Sequence, residues 1–183
     1  MGIKATIQKT DIERALHMSK CLLSNEIANK LITGQEKFTE NIIGTMIYDL
    51  YKNIHKCISV KHGVWVVFDN ISNEWKESSN LTVSIIIRYI ILGLKIIMSE
   101  YCNGYENRKN DIENQKENNL LLDKIKNLKR ILRLLGQRQL QKRIADECKS
   151  IFYDPNIVID LKNGYPRSSG LNSLIMEFET LKN

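Results

Sequence analysis

The chain has 183 residues, a net charge of +6 and 43% hydrophobic residues. That length fits one domain, or one domain with a tail, and lets the chain bury roughly 70% of its unfolded surface, so the fold needs no disulfide or metal to hold it together. The hydrophobic fraction is that of a globular protein, and the positive charge favours acidic partners such as nucleic acid without deciding the fold.

The cysteines and histidines are spaced too irregularly for a zinc site. No CxxC pair occurs, and the histidines do not complete a metal-binding pattern with the cysteines. The N-terminus lacks the apolar core and cleavage site of a secretory signal. We therefore expect reduced thiols, an intracellular protein, and no metal or other cofactor. The four cysteines are Cys21, Cys57, Cys102 and Cys148.

One or two helices are predicted before residue 37. Thr10 and Glu13 form a capping-box pattern, in which each side chain meets an unpaired backbone N–H at the start of a helix. Apolar residues then recur at helical spacing, and Gly34 is typical of a helix end in the left-handed conformation. A break near Ser24-Asn25 would divide the segment into two helices.

The clearest amphipathic helix follows Thr39, which is its predicted N-cap. Its apolar residues recur three and four positions apart, whereas Asp49 and Lys52 lie away from them. A Met and a Tyr on such a stripe are typical of a hydrophobic core. The stripe comprises Ile42, Ile43, Met46, Ile47, Leu50, Tyr51 and Ile54.

A β-hairpin follows this helix. The strand at 64–68 is apolar on both faces, so we expect two helices to cover it: that of residues 40–54 and the helix after the hairpin. Trp75 returns after a turn and is predicted to lie near Trp65 or Val67. The two tryptophans fit either a core that anchors the sheet or rings that stack on the bases of single-stranded nucleic acid.

Residues 81–98 are apolar nearly all round and long enough to invite a transmembrane interpretation. Arg88 and Lys95 oppose it, because a cation near the centre of a bilayer costs roughly 2.5–3.5 kcal/mol. No excess of positive charge flanks one end either. We therefore predict the central helix of a globular domain and no membrane partner.

The polar, Asn-rich residues 101–119 are predicted to form a mobile connection between two helices. The next helix carries an apolar seam and ends at Gly136. A further helix ends before Pro155, because the residue preceding proline disfavours the helical conformation. These two helices should form a hairpin packed on the central helix. The seam comprises Leu121, Ile125, Leu128, Leu132 and Leu135.

The strongest charge feature lies on these last two helices. Eight basic residues occur between Lys124 and Arg143, with no acid among them, and Asp123 and Asp146 bound the run. Such a face can neutralise phosphates, although a merely solvated helix face has the same composition. The candidate nucleic-acid-binding residues are Lys124, Lys126, Lys129, Arg130, Arg133, Arg138, Lys142 and Arg143.

No catalytic motif is present. The chain has no GxxxxGK[ST] loop for nucleoside triphosphate, no GxGxxG, no GxSxG and no HExxH. Carboxylates such as Asp49, Asp69 and Glu74 lie apart, without a partner at an informative spacing. We therefore predict no catalytic residues and no metal ligands in this chain.

The elements predict a mainly helical α+β fold, with a small antiparallel sheet of two to three strands packed among about five to six helices. Their order resembles the D5 N-terminal-type domain of viral, phage and plasmid primase-helicases (poxvirus D5-type and phage P4-type). The likeness covers roughly residues 37–162 and is carried by four stretches. They are the helix ending Ile47-Tyr48-Asp49-Leu50-Tyr51, the hairpin with Trp65 and Trp75, the apolar helix beyond it, and Glu147–Asp154 before a segment ending Asp160-Leu161.

The resemblance implies a non-catalytic accessory or linker domain of a DNA replication primase-helicase. In that family a superfamily 3 helicase follows, so the resemblance implies a truncated copy, the product of a split gene, or a fragment. Its implied partners are DNA, single-stranded or duplex, and helicase or primase subunits or a second copy, in the host cytoplasm or at a viral replication site. The alternative is a protein-interaction or oligomerisation module that binds no nucleic acid.

The predicted divisions are an N-terminal helical segment at 1–36, the D5 N-terminal-like domain at 37–162 and a tail at 163–183. The tail starts with the Asn163-Gly164 turn signal. Apolar residues at 171–181 then predict a short terminal helix.

Overall fold

The computed structural model describes residues 9–78, 82–109, 115–160 and 165–168, and confirms the mainly helical α+β class. The predicted helix at 171–181 lies outside the described residues. The elements are α1 (Lys9–Ser24), α2 (Glu26–Thr33), α3 (Glu40–Tyr51), β1 (His55–Ser59), β2 (Val64–Asp69), β3 (Glu74–Ser78), α4 (Thr82–Arg108), α5 (Gln115–Leu135), α6 (Arg138–Ile151), β4 (Ile157–Asp160) and β5 (Tyr165–Ser168).

The first two helices meet at Asn25, where the predicted break is confirmed. Asn25 has an extended backbone, and its side chain accepts a hydrogen bond from the Ala28 N–H at 2.9 Å, so it caps α2. Gly34 ends α2 at φ +77°, as predicted. The prediction of Thr10 as an N-cap is wrong, because Lys9 is already helical and Thr10 therefore lies inside α1.

Helix α3 begins as predicted. The Thr39 side chain accepts a hydrogen bond from the Ile42 N–H at 3.2 Å. Three residues of the predicted stripe, Ile43, Met46 and Ile47, are buried. They join one hydrophobic core with side chains of α1, α2, α4, α5 and α6.

The three strands β1, β2 and β3 form an antiparallel sheet in that order. Trp75 is paired with Phe68, at 5.2 Å between ring centroids, so its predicted position near Trp65 or Val67 is wrong. The register is responsible: β2 ends at Asp69 and β3 starts at Glu74, which sets Trp75 directly opposite Phe68 on the same face of the sheet.

The turn between β2 and β3 is organised by one carboxylate. Asp69 accepts hydrogen bonds from the Ile71 N–H at 2.9 Å and the Ser72 hydroxyl at 3.1 Å, and it also pairs with Lys76. The Lys76 ammonium and the Ile71 N–H lower the pKa of Asp69 to about 2. The carboxylate therefore closes the hairpin in its ionised form.

Phe152, directly after α6, joins the sheet to the helices. Its ring lies 5.1 Å from that of Tyr48 in α3 and 5.3 Å from that of Trp65 in β2. Its carbonyl accepts a hydrogen bond from the Cys57 N–H at 3.0 Å, and the Cys57 carbonyl accepts one from the Asp154 N–H at 3.0 Å. The segment after α6 thus covers Trp65, a contact that the sequence did not predict.

Helix α4 is the central helix, as predicted, with α1 and α5 packed against it. Gly93 permits close approach of α1, since a Cβ there would lie 2.9 Å from Met18 Cγ and 3.0 Å from the Ser19 nitrogen. By length and composition alone α4 could also cross a membrane, and 44% of its most apolar window is buried in the described protein. The absence of a membrane partner stays a prediction.

The predicted loop at 101–119 is largely helical, because α4 continues to Arg108 and α5 already includes Gln115. The two ends are tied together by an ion pair between Arg108 and Glu117 at 3.0 Å. The buried Asn118 side chain also donates to the Arg108 carbonyl at 2.8 Å. The prediction failed because asparagine, a typical loop residue, here caps the end of a neighbouring helix.

Helices α5 and α6 both pack on the core but not on the same neighbour. Helix α5 packs chiefly on α4, whereas α6 packs chiefly on α3. The predicted packing on the central helix α4 is therefore correct for α5, whereas α6 has only a minor contact with α4. Beyond α6, β4 and β5 pair antiparallel. The connecting residues 161–164, which include the predicted Asn163-Gly164 turn, lie outside the described residues.

We expect Phe152→Ala to lower the free energy of unfolding by about 3–5 kcal/mol, because it removes the ring between Tyr48 and Trp65. Urea unfolding followed by circular dichroism measures this loss. The matched control is Tyr153→Ala: Phe152 is 1% exposed, whereas its neighbour is 47% exposed. A loss no greater in the Phe152 variant than in the control would contradict the assigned role.

We expect the β2–β3 turn to lose stability as the pH falls. The pKa of Asp69 is lowered from 3.8 to about 2, so the carboxylate's contribution is complete above pH 4 and is lost as the pH falls through about 2. The indole N–H signal of Trp75 in NMR spectra should report the change. Asp69→Asn should show the acid spectrum at neutral pH, whereas Glu74→Gln, at the same turn, should not.

Candidate nucleic-acid interface

Helix α5 separates an apolar face from a basic one. Three of the five predicted seam residues, Ile125, Leu128 and Leu135, are buried, whereas Leu121 and Leu132 are half-buried. Ile131, which was not predicted, is also buried, and the helix packs on α4. At 3.6 residues per turn, residues 126, 130 and 133 point away from these buried residues. The basic side of α5 is therefore turned toward solvent by the burial of the opposite side.

Two of the predicted basic residues of α5 are engaged within the chain. Lys124 is half-buried, with its ammonium 5.3 Å from the centre of the Tyr101 ring. Lys126 is exposed and pairs with Asp123 at 3.1 Å, three residues earlier on the same helix. An exposed pair of this kind is worth only about 0–1 kcal/mol, so Lys126 can exchange this partner for another anion.

The other three predicted basic residues of α5 face solvent without an acidic partner. Lys129, Arg130 and Arg133 are exposed, and among the described residues no carboxylate lies within 4 Å of their charged groups. Their backbone is regular helix, which holds the three side chains at fixed spacings. Phosphate groups would find here cations that are not already neutralised.

Helix α6 divides its basic residues between two sides. Arg143 pairs with Glu40, at the start of α3, at 2.9 Å. Arg138 and Lys142 are exposed, and within the parts of the chain that the structure describes they form no ion pair. Leu140, Ile144 and Cys148 hold the opposite side of the helix in the core.

Five of the eight predicted residues therefore have neither an acidic nor an aromatic partner among the described residues. We call them the basic surface, and they are Lys129, Arg130, Arg133, Arg138 and Lys142. Only Gly136 and Gln137 separate the two helices, so the Arg133 and Arg138 Cα atoms are at most about 19 Å apart. The basic surface thus runs from α5 onto the beginning of α6.

The tryptophans differ in what they can contact. Trp65 is 2% exposed and packs on Phe152, so it serves the core and offers no face to a base. Trp75 is half-buried against Phe68. Of the two interpretations of these rings, the structure favours the core for Trp65.

The described residues also bear on metal and thiol chemistry. Within them, no group of three or more His, Cys, Asp or Glu residues is arranged to hold a metal ion. All four cysteines are free thiols. Burial raises the pKa of Cys57, and it raises that of Cys148 to about 12, so both stay protonated and non-nucleophilic.

Comparison with known proteins gives a family and one relative. The model of the family described as "Domain of unknown function (DUF4942)" matches residues 4–163. A protein of Acanthamoeba polyphaga mimivirus named "Putative helicase L207/L206" is 26% identical over 163 residues. That alignment covers 86% of this chain but only 15% of the mimivirus protein. Because the family model matches most of its length, the chain belongs to the DUF4942 family.

Proposed function

We propose that this chain is a helicase-associated domain that binds nucleic acid through the basic surface. The observation that carries the proposal is the acid-free run from Lys124 to Arg143, five of whose cations face solvent without a described acidic partner. The match to a mimivirus protein with a helicase name supports the helicase association. The chain corresponds to only a small part of that protein, so the proposal concerns one domain of a much longer helicase-like protein.

The finer part of the proposal is a D5 N-terminal-like accessory domain of a viral-type DNA replication primase-helicase. In this role the domain itself performs no catalysis and holds DNA or neighbouring subunits for a separate helicase. The order of the helix, hairpin and apolar helix supports it. The proposed location is inside the cell, in the host cytoplasm or at a site of viral replication.

A protein-interaction module is the second candidate. The leucine seam of α5 does not carry it, because α4 occupies that seam. The observation that favours it is an apolar stripe on one face of α1, where Ile12, Leu16 and Leu23 are exposed. A molar mass that rises with concentration in light scattering would support this candidate, and a constant monomer mass would count against it.

The affinity of the protein for DNA should depend on the salt concentration. Fluorescence anisotropy of labelled single-stranded and duplex DNA should show an affinity that falls steeply as the salt concentration rises. Each neutralised phosphate contributes about −0.7 to the slope of log K against log salt for a single strand and about −0.9 for a duplex. Five contacts would therefore give slopes of about −3.5 for a single strand and about −4.5 for a duplex.

We expect the triple variant Lys129→Glu, Arg130→Glu, Arg133→Glu to bind DNA roughly 100-fold more weakly, because phosphates would meet anions in place of cations. The matched control reverses three exposed lysines elsewhere: Lys20, Lys37 and Lys95. Both variants lower the net charge from +6 to 0, since each reversal removes two positive units. Equal losses in the two variants, or no binding by the unaltered protein at low salt, would reject the basic surface as the site.

A further inference from the structure

A pocket of about 200 Å³ lies where α3, β1, β3 and α4 meet, and no residue of the basic surface lines it. Three rings line it: Tyr51 from the last turn of α3, His55 from the start of β1, and Tyr89 from α4. The Tyr51 and His55 rings are 5.6 Å apart and tilted by 51°. The pocket thus offers several π faces at different angles.

Polar groups lie beside these rings. Ser78 and Thr82 line the pocket, and their hydroxyl oxygens are 2.9 Å apart. The His55 Nδ1 atom is buried, and no group in the described part of the chain forms a hydrogen bond with it. Leaving a buried ring nitrogen unpaired is unfavourable, so a ligand group that reaches Nδ1 after a rotation of the imidazole ring would remove that cost.

Burial favours the uncharged forms of two of the rings. Burial lowers the pKa of His55, which favours the neutral imidazole, and burial raises the pKa of Tyr51 to about 12.

Charged groups lie beside the Tyr89 ring: Arg14, which is exposed, donates a hydrogen bond to the Tyr89 hydroxyl at 2.8 Å, and that hydroxyl donates to Asp11 at 3.4 Å. Arg88 pairs with Asp11 at 3.6 Å, so two cations and one carboxylate lie there and leave a net positive charge. An aromatic interior with a net positive charge beside it matches a ligand with a flat ring and an attached anion.

We propose that this pocket receives one unstacked nucleobase of a single-stranded nucleic acid, with its phosphate outside beside Arg14. Proteins read single strands by stacking splayed bases on aromatic side chains and by hydrogen bonds to the base edges. The volume lies below the roughly 300–1,000 Å³ of pockets for drug-sized ligands, which suits a single ring system. The inference rests on the proposed function, since the basic surface would bring the strand, but it uses different residues.

The test compares two labelled strands of twenty nucleotides that carry the same phosphates, one of thymidines and one with abasic sugars throughout. The unaltered protein should bind the thymidine strand about tenfold more tightly, because a base stacked on an aromatic side chain adds to the phosphate contacts that both strands make. In Ile85→Trp, the indole should fill the pocket and abolish this preference, while the affinity for the abasic strand stays unchanged. Ile85 lines the pocket and is 48% exposed, so the larger side chain does not enter the core.

Ile12→Trp is the matched control. Ile12 is 49% exposed, lies on α1 and does not line the pocket. This variant should keep the preference of the unaltered protein for the thymidine strand. A preference that survives in Ile85→Trp, or one that is lost equally in both variants, would overturn the assignment of the pocket.

A second measurement separates the pocket from the basic surface. The four deoxynucleoside monophosphates are titrated into the unaltered protein, and the NMR signals of the His55 ring are followed. If these signals move although neither strand binds, the pocket is supported and strand binding by the basic surface fails. If both strands bind equally and the His55 signals do not move, the pocket assignment is overturned while the proposed function stands.

Discussion

The contact of Phe152 with Tyr48 and Trp65 is the one on which the arrangement of this domain depends. It brings together residues 48, 65 and 152, which belong to α3, β2 and the segment after α6. Edge-to-face aromatic packing in a dry core combines a large buried area with a preferred ring geometry. The backbone hydrogen bonds between Cys57 and the segment after α6 also fix the orientation of that segment against the sheet.

This contact has consequences for the basic surface. Because Phe152 anchors the end of α6 and the Arg143–Glu40 pair lies nearer its beginning, α6 is held at two places against α3 and the sheet. Its free side then carries Arg138 and Lys142. On α5 the same result follows from packing on α4, which buries the apolar seam and leaves the cations outside. Burial of one face therefore determines the charge of the other.

The proposed sites use two different physical devices. The basic surface holds unpaired cations on regular helices, which suits contacts to phosphates and does not distinguish sequences. The pocket beside His55 holds neutral rings and hydroxyls, which suit contacts to a base. The two sets share no residue. Such a division between charge and ring contacts is common in proteins that follow a single strand.

Local features were predictable from the sequence because their causes lie within a few residues. The caps at Asn25 and Thr39 and the stop at Gly34 follow from side-chain and backbone preferences at helix ends. The seam of α5 follows from its spacing. By contrast, the loop predicted at 101–119 is mostly helix, since Asn118 hydrogen-bonds to a helix end ten residues earlier, a partner that spacing does not reveal.

The sequence by itself determined the class of the fold, the hairpin, the central apolar helix and the run of cations without acids. Periodicity and composition suffice for these, because each element needs only its own residues to be recognised. Tertiary structure alone decided which cations find acidic partners, that Trp65 is buried by Phe152, and that Tyr51, His55 and Tyr89 line one pocket. Those outcomes depend on contacts between residues far apart in the chain, and only the packed core brings them together.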